Sequence, residues 1–431
     1  MNIINKILKG DKVIWIVALL LGVISLVVVY SATSALVDNN FGGDTGKLLL
    51  KHGGTLLLGY LAMFGASLID YKHFSKASKL LLIPIMVLLI YTLFFGRNLN
   101  DASRSIKIIG ISFQPSEWAK IILLTFLARE LVLLGEKLHS FKYVLVHLGF
   151  PIYIITALIF TENLSTALIL LCSSLVLLFI GRVKFGHILA MLGIGIAVLS
   201  VLLVINIGNT NIHNSRLKKE YEEELAKGLQ VKEPDYKVSR FGTWQKRIEA
   251  TLEESDGEEY NPFDDHHYQQ TYAKIAVATG GFLGKGPGKS EQRNFLPHPY
   301  SDFIYAIIVE EYGIFGAIIM ILLYVIFFTR VTKIVVKRPL TFGAYMTFGL
   351  GFIIILQAMT NMGVSVGLLP VTGQPMPFVS MGGSSMMATG FIIGMILSVT
   401  RDIEKEETEN LEIEDNTENL ITNESAVESC D

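Results

Sequence analysis

The chain has 431 residues, of which 51% are hydrophobic and only 17% charged, and its mean hydropathy is positive. That is too apolar for an ordinary soluble protein of this length, so the chain reads as an integral membrane protein. The formal charge is −3, and twelve Asp/Glu stand against Arg401 and Lys405 in the stretch 401–431, which argues against a nucleic-acid binder. Of the two cysteines, Cys172 sits in an apolar run and Cys430 in the polar tail, so neither a disulfide framework nor a cysteine zinc site is expected.

A helix that crosses a bilayer needs roughly 20 apolar residues at about 1.5 Å each. Ten segments approach this length: 13–31, 48–69, 80–95, 115–134, 143–160, 164–181, 187–207, 303–329, 341–363 and 385–400. The expected fold is an all-α membrane bundle of ten helices. The uncharged run from Val13 to Tyr30 is longer than the apolar core of a cleaved signal, so it is kept as the first helix. The fourth segment carries Glu117, Lys120, Arg129 and Glu130, and the fifth and sixth are parted only by Thr161-Glu162-Asn163, read as a tight hairpin.

The short loops fix the orientation, because cytoplasmic loops carry the excess of Lys and Arg. With the N-terminus inside, the cytoplasmic pieces hold fifteen such residues and the short outer loops four, namely Lys47, Arg97, Arg104 and Lys107. Both termini are then cytoplasmic. The expected division is a short N-terminus (1–12), helices one to seven (13–207), a long extracytoplasmic loop (208–302), helices eight to ten (303–400) and an acidic, disordered tail (401–431).

Ionisable groups at membrane depth cost at least about 2.5 kcal/mol each and need a reason. Glu117 and Lys120 share a helix face, either as an internal ion pair or as the wall of an outward cavity, with Arg104 and Lys107 just upstream to attract an anion. Asp302 precedes the eighth helix, where it is either a helix cap or a catalytic carboxylate at the mouth of the bundle. Glu310 and Glu311 are adjacent and point about 100° apart, so they cannot serve one small site. Glu162 and Asn163 are expected to be solvated at the hairpin surface. Asp264, Asp265, His266 and His267 read as solvated neighbours rather than a metal site. The run Gly280–Ser290 lacks the phosphate-loop spacing, so no nucleotide is expected.

Four patches together resemble the SEDS (FtsW/RodA) family of bacterial cell-wall polymerases. They are Gln114-Pro115-Ser116-Glu117 with Lys120; Thr161 to Ala167; Leu296-Pro297 through Ser301-Asp302-Phe303 to Glu310-Glu311; and Gly367 to Phe378 with Ser380 to Ser385. Their order and spacing agree with the family over nearly all of residues 10–400. His298, Ser301, Ser105 and Asn163 depart from its pattern. The opening Val29-Tyr30-Ser31-Ala32 and the stretch 240–249 look more like the division members than the elongation members that govern cell shape.

The resemblance implies a peptidoglycan glycosyltransferase in the bacterial cytoplasmic membrane at the division septum. It would polymerise undecaprenyl-pyrophosphate-linked lipid II into β-1,4 glycan strands with inversion. Asp302 would be the general base. Arg104, Glu117, Lys120, Lys289, Arg293 and Ser385 are candidates to bind substrate, with Lys107 a weaker one. Glu117 is also the candidate ligand of a divalent cation, magnesium or manganese. The implied partners are a class B penicillin-binding protein transpeptidase and the divisome activating proteins. A lipid II flippase, or a scaffold for division proteins, is the rival reading.

Overall fold

In the computed structural model, residues 9–33, 45–95, 97–99, 102–108, 111–226, 242 and 268–428 are described. In chain order the helices are α1 (Lys12–Thr33), α2 (Thr45–Leu68), α3 (Tyr71–Phe95), α4 (Pro115–Leu134), α5 (Phe141–Glu162), α6 (Leu164–Ile180), α7 (Phe185–Ala226), α8 (Tyr268–Gly280), α9 (Ile304–Lys337), α10 (Phe342–Ser365) and α11 (Gly383–Glu428). Eight of them are long and apolar enough to cross a membrane. The other two expected spans are also helices: α6 is apolar but has 17 residues, and α4 has 20 residues with four ionisable side chains.

The helices begin where local chemistry starts them. Asp11 Oδ1 accepts from the N–H groups of Val13 and Ile14 ahead of α1, Pro115 occupies the first turn of α4, and the Thr341 hydroxyl accepts from Ala344 N–H at the start of α10. Asn163 is the single residue between α5 and α6, and its side chain accepts from the N–H groups of Ser165 (2.9 Å) and Thr166 (3.2 Å). The hairpin expected there is present.

Several expectations are corrected. The chain is not purely helical: three short antiparallel strands, β1 (Arg97–Leu99), β2 (Ala102–Ile108) and β3 (Ile111–Phe113), pair in the order β1-β2-β3 between α3 and α4. Helix α7 runs well past residue 207 because helix formation needs backbone partners, not lipid, and its polar half is spaced for contacts such as Lys218–Glu222. The acidic tail is likewise helical to Glu428. Its first turns are held by Arg338, which pairs with Asp402 and Glu406, and by Lys337 with Glu407. Glu162 is buried rather than solvated, at 2% exposure.

Burial separates the centre of the bundle from its rim. In the spanning windows of α10 and α11 78% of residues are buried, against 22% in α2 and α3. Helix α11 packs most extensively on α2, where Gly390 and Gly394 lie directly over the backbone carbonyls of Gly59 and Met63. Small residues at this spacing allow close helix approach inside a membrane.

Candidate functional site

The site is built around the segment Gly373–Ser380, which crosses the bundle between α10 and α11 without regular structure. Irregular backbone is tolerated at such depth only where protein or enclosed water satisfies its polar groups. Here side chains from four places do so. Ser25 of α1 donates to Val379 O (2.7 Å), Tyr324 of α9 to Pro377 O, Asn361 of α10 to Gln374 O (2.8 Å), and Ser380 Oγ accepts from Met376 N–H (2.8 Å). His52 of α2 shares the Ser25 hydroxyl at 2.8 Å. Sequence reading missed Ser25, His52, Tyr324 and Asn361; the available signal was isolated polar side chains within apolar helices.

Asp302 belongs to a turn closed by His298, whose carbonyl accepts from Ser301 N–H (2.9 Å) and Asp302 N–H (3.3 Å). His298 itself takes the left-handed φ of 53°. The Asp302 carboxylate does not cap α9, which begins after Phe303 with no side-chain cap. It accepts from the Ser301 hydroxyl at 2.9 Å and faces Gly373, lying 3.6 Å from where a side chain there would begin. Burial, with the Asp302 charge adding to it, pushes the neighbouring Tyr300 phenol above its usual range. The turn is stitched to the crossing segment by Ser380 Oγ to Ser301 O (2.5 Å), Met381 N–H to Tyr300 O (2.9 Å) and Asn361 Nδ2 to Asp302 O (2.8 Å).

The start of α11, which follows the segment, reaches α4. Ser384 Oγ accepts from Gln114 N–H at 3.0 Å, just before the turn of α4 that carries Glu117 and Lys120. Those two form an ion pair of 2.8 Å with Lys120 only 2% exposed. Ser385 is half-buried in the first turn of α11, beside the Ser384 that makes this contact. Gln374 Nε2 donates to Thr166 Oγ1 (2.7 Å), so the start of α6 joins the network too. Arg104 and Lys107 lie on β2, immediately upstream of α4, and their side chains fall outside the described residues, as do Asp264, Asp265, His266 and His267.

Lys289 is exposed, whereas Arg293 is tied to α1, its guanidinium donating to Ser31 O (3.0 Å) and Ser31 Oγ (3.3 Å). Glu310 and Glu311 are both buried and serve different neighbours, as their spacing requires. Glu310 accepts from Lys285 Nζ (2.8 Å), Ser290 Oγ (2.5 Å) and the Glu291 N–H (3.1 Å); Glu311 accepts from the Ser31 hydroxyl. The hydrogen bond to Glu310 holds the Lys285 ammonium above its ordinary range. The glycine loop is not spread over open space: a side chain on Gly284 would begin 2.2 Å from Glu311 O, and one on Gly313 2.4 Å from Phe282 O. Helix α9 breaks at Gly313 (φ 63°) to receive it.

Glu117 is a poor fit for a divalent cation. It is buried, Lys120 already occupies one of its oxygens, and among the described residues no group of three His, Cys, Asp or Glu stands together.

These features define a polytopic helical membrane protein in which hydrogen bonds link the turn bearing Asp302, through the crossing segment and the start of α11, to the first residues of α4, the helix that bears a buried ion pair. The sequence profile of the FtsW/RodA/SpoVE family, described as "Cell cycle protein", matches residues 11–405, and the chain belongs to that family. It is 30% identical to stage V sporulation protein E of Bacillus subtilis, over 92% of this chain and 98% of that one. It is 29% identical to the probable peptidoglycan glycosyltransferase FtsW of Geobacter metallireducens, over 92% and 96%. Its fold is similar to a solved chain from work on polymerization and crosslinking by a peptidoglycan synthase complex (TM-score 0.66, 21% identity, 91% and 98% covered). It is also similar to the rod shape determining protein RodA of Thermus thermophilus (TM-score 0.59, 20% identity, 91% and 97% covered).

Proposed function

We propose that the chain is a peptidoglycan glycosyltransferase of the division type, which polymerises lipid II on the outer face of the bacterial cytoplasmic membrane at the septum. All ten apolar helices cross the bilayer in this reading, α8 lies outside, and both termini are cytoplasmic. One observation carries the site assignment. The Asp302 carboxylate faces Gly373 in the crossing segment instead of capping its helix, and Ser384 in the first turn of α11, the helix that follows the segment, is hydrogen-bonded to the start of the helix bearing Glu117 and Lys120.

The chemistry asks for a base and for positive charge. The 4-hydroxyl of the acceptor's N-acetylglucosamine attacks C1 of the donor's N-acetylmuramic acid, and Asp302 takes the hydroxyl proton. The C1–O bond to pyrophosphate breaks with its electron pair leaving on the phosphate, which inverts the α link to β. Arg104 suits the phosphate as a bidentate fork. Ser385 offers a hydroxyl at the positive end of α11, and the exposed Lys289 offers a mobile point charge. Lys120, being buried against Glu117, contributes its charge and the geometry of α4 rather than direct contact in this arrangement. Arg293 ties the loop to α1. A divalent cation would be carried by the substrate's own phosphates and not by Glu117.

Its partners in this reading are a class B penicillin-binding protein and the divisome activating proteins. The test is reconstitution of the full chain with lipid II and the cognate transpeptidase, comparing wild type with Asp302→Asn. Glycan chains are expected from wild type alone; chains from both, or labelled lipid moved across the bilayer with no chain made, would overturn the reading.

A further inference from the structure

The loop that leaves α8 carries two large apolar side chains at its tip, Phe282 and Leu283, which are 69% and 79% exposed. The tip is held firmly. Ile314 N–H donates to Gly281 O at 3.2 Å, and Lys285 and Gly286 N–H donate to the carbonyls of Glu310 and Glu311 at 2.9 Å each. Its backbone therefore fills the break in α9 at Gly313, and the Phe282 ring meets Phe315 edge-on at 5.4 Å.

Phe315 is not an isolated neighbour. It belongs to an exposed stripe on α9 with Ile318, Ile319 and Leu322, at the spacing of one helix face. Since α9 is long and apolar enough to span a membrane, that stripe faces acyl chains. The uncharged stretch of α9 runs from Tyr312 to Thr329, about 27 Å at about 1.5 Å per residue, against a hydrocarbon core of about 30 Å. Gly313 thus stands at the edge of the core, and the loop tip continues the lipid-facing stripe across the break. Beyond the tip, Lys289 is exposed where headgroup phosphates would lie.

We propose that Phe282 and Leu283 insert into the outer leaflet beside α9 as an interfacial wedge. The wedge fixes the height of the stretch 281–303, and so of Asp302, against the plane of lipid phosphates in which the charged group of a polyprenyl-pyrophosphate substrate lies. This rests on the orientation given under Proposed function and names the lipid surface as the tip's occupant.

The test places a fluorescent thiol label at Leu283→Cys, or at Asn294→Cys as the exposed control on the same loop, in a full chain carrying Cys172→Ala and Cys430→Ser and reconstituted in phospholipid bilayers. Quenching by spin-labelled phospholipid is expected to be several-fold stronger at position 283 than at 294, and quenching by iodide several-fold weaker. Equal iodide access at both positions would overturn the wedge, and so would shielding of position 283 from both quenchers, which would mean a protein occupant. An impermeant thiol reagent applied to intact cells should label Asn294→Cys. If it labels only broken cells, the orientation falls and the proposal with it; if it labels intact cells while position 283 is open to iodide, only the wedge falls. Loss or survival of activity in Asp302→Asn does not enter either readout.

Discussion

Asn361 donates from one amide nitrogen to two carbonyls, Asp302 O and Gln374 O, at 2.8 Å each, and is itself fully buried. It is thereby the weld between the turn that carries the acid and the segment that crosses in front of it. Asn361→Asp keeps the shape but turns the donor into an acceptor facing two carbonyls, so both contacts are lost. Displacement of a reacting group by about 1 Å can cost on the order of 100-fold in rate. The expected outcome is a fall of about that size in glycan chain synthesis with a smaller change in KM for lipid II. Full activity in this variant, with Asp302→Asn dead, would mean the acid is held by other contacts.

The pair of Glu117 and Lys120 separates stability from chemistry. Breaking a buried ion pair by removing one partner costs about 3–5 kcal/mol, whereas replacing both with apolar residues of similar size is often neutral. Lys120→Met should therefore lower the thermal unfolding temperature in detergent markedly, and Glu117→Leu with Lys120→Met should restore most of it. Glycan synthesis should stay absent in the double variant if the lysine charge serves the pyrophosphate. Recovery of both properties together would reduce the pair to a packing device.

Arg293 gives a related contrast. Its guanidinium reaches both the carbonyl and the hydroxyl of Ser31. Arg293→Lys keeps the charge but cannot span the two acceptors as the fork does. It should lose about 1–3 kcal/mol of stability, the cost of leaving buried acceptors unpaired, with KM for lipid II little altered. A large rise in KM at unchanged stability would return Arg293 to the phosphate.

Much of this plan was legible in the residues, and the illegible part has a physical cause. The apolar runs located the eight helices long and apolar enough to cross a membrane, because burial in lipid demands continuous apolar length, and they located α4 and α6 as helices. The break at 161–163 marked the hairpin. Glu162 misled, since a residue directly beside the hairpin tip can still be buried when the hairpin packs inward. The strands at 97–113 left only a faint alternation, Ser103-Arg104-Ser105-Ile106-Lys107-Ile108, too short to outweigh the loop reading. Ser25, Tyr324 and Asn361 meet at the crossing segment from three helices far apart in sequence, and which face each presents is decided by packing, which no local pattern encodes.

The glycines of the outer loop serve close approach, because the loop is docked by its backbone on the break in α9. At Gly284 a methyl group would begin 2.2 Å from Glu311 O and the φ is +78°, so neither sterics nor backbone conformation admits it. At Gly288 the φ is +75° but the space is open, leaving only the left-handed penalty of about 1–2 kcal/mol. Gly288→Ala should then be tolerated with a loss of about that size, while Gly284→Ala should force the loop off α9 and cost more than about 4 kcal/mol, in the range reserved for disrupted cores. Thermal unfolding of the two variants side by side decides it: equal, mild losses would show that the loop moves freely and that the break at Gly313 has some other cause.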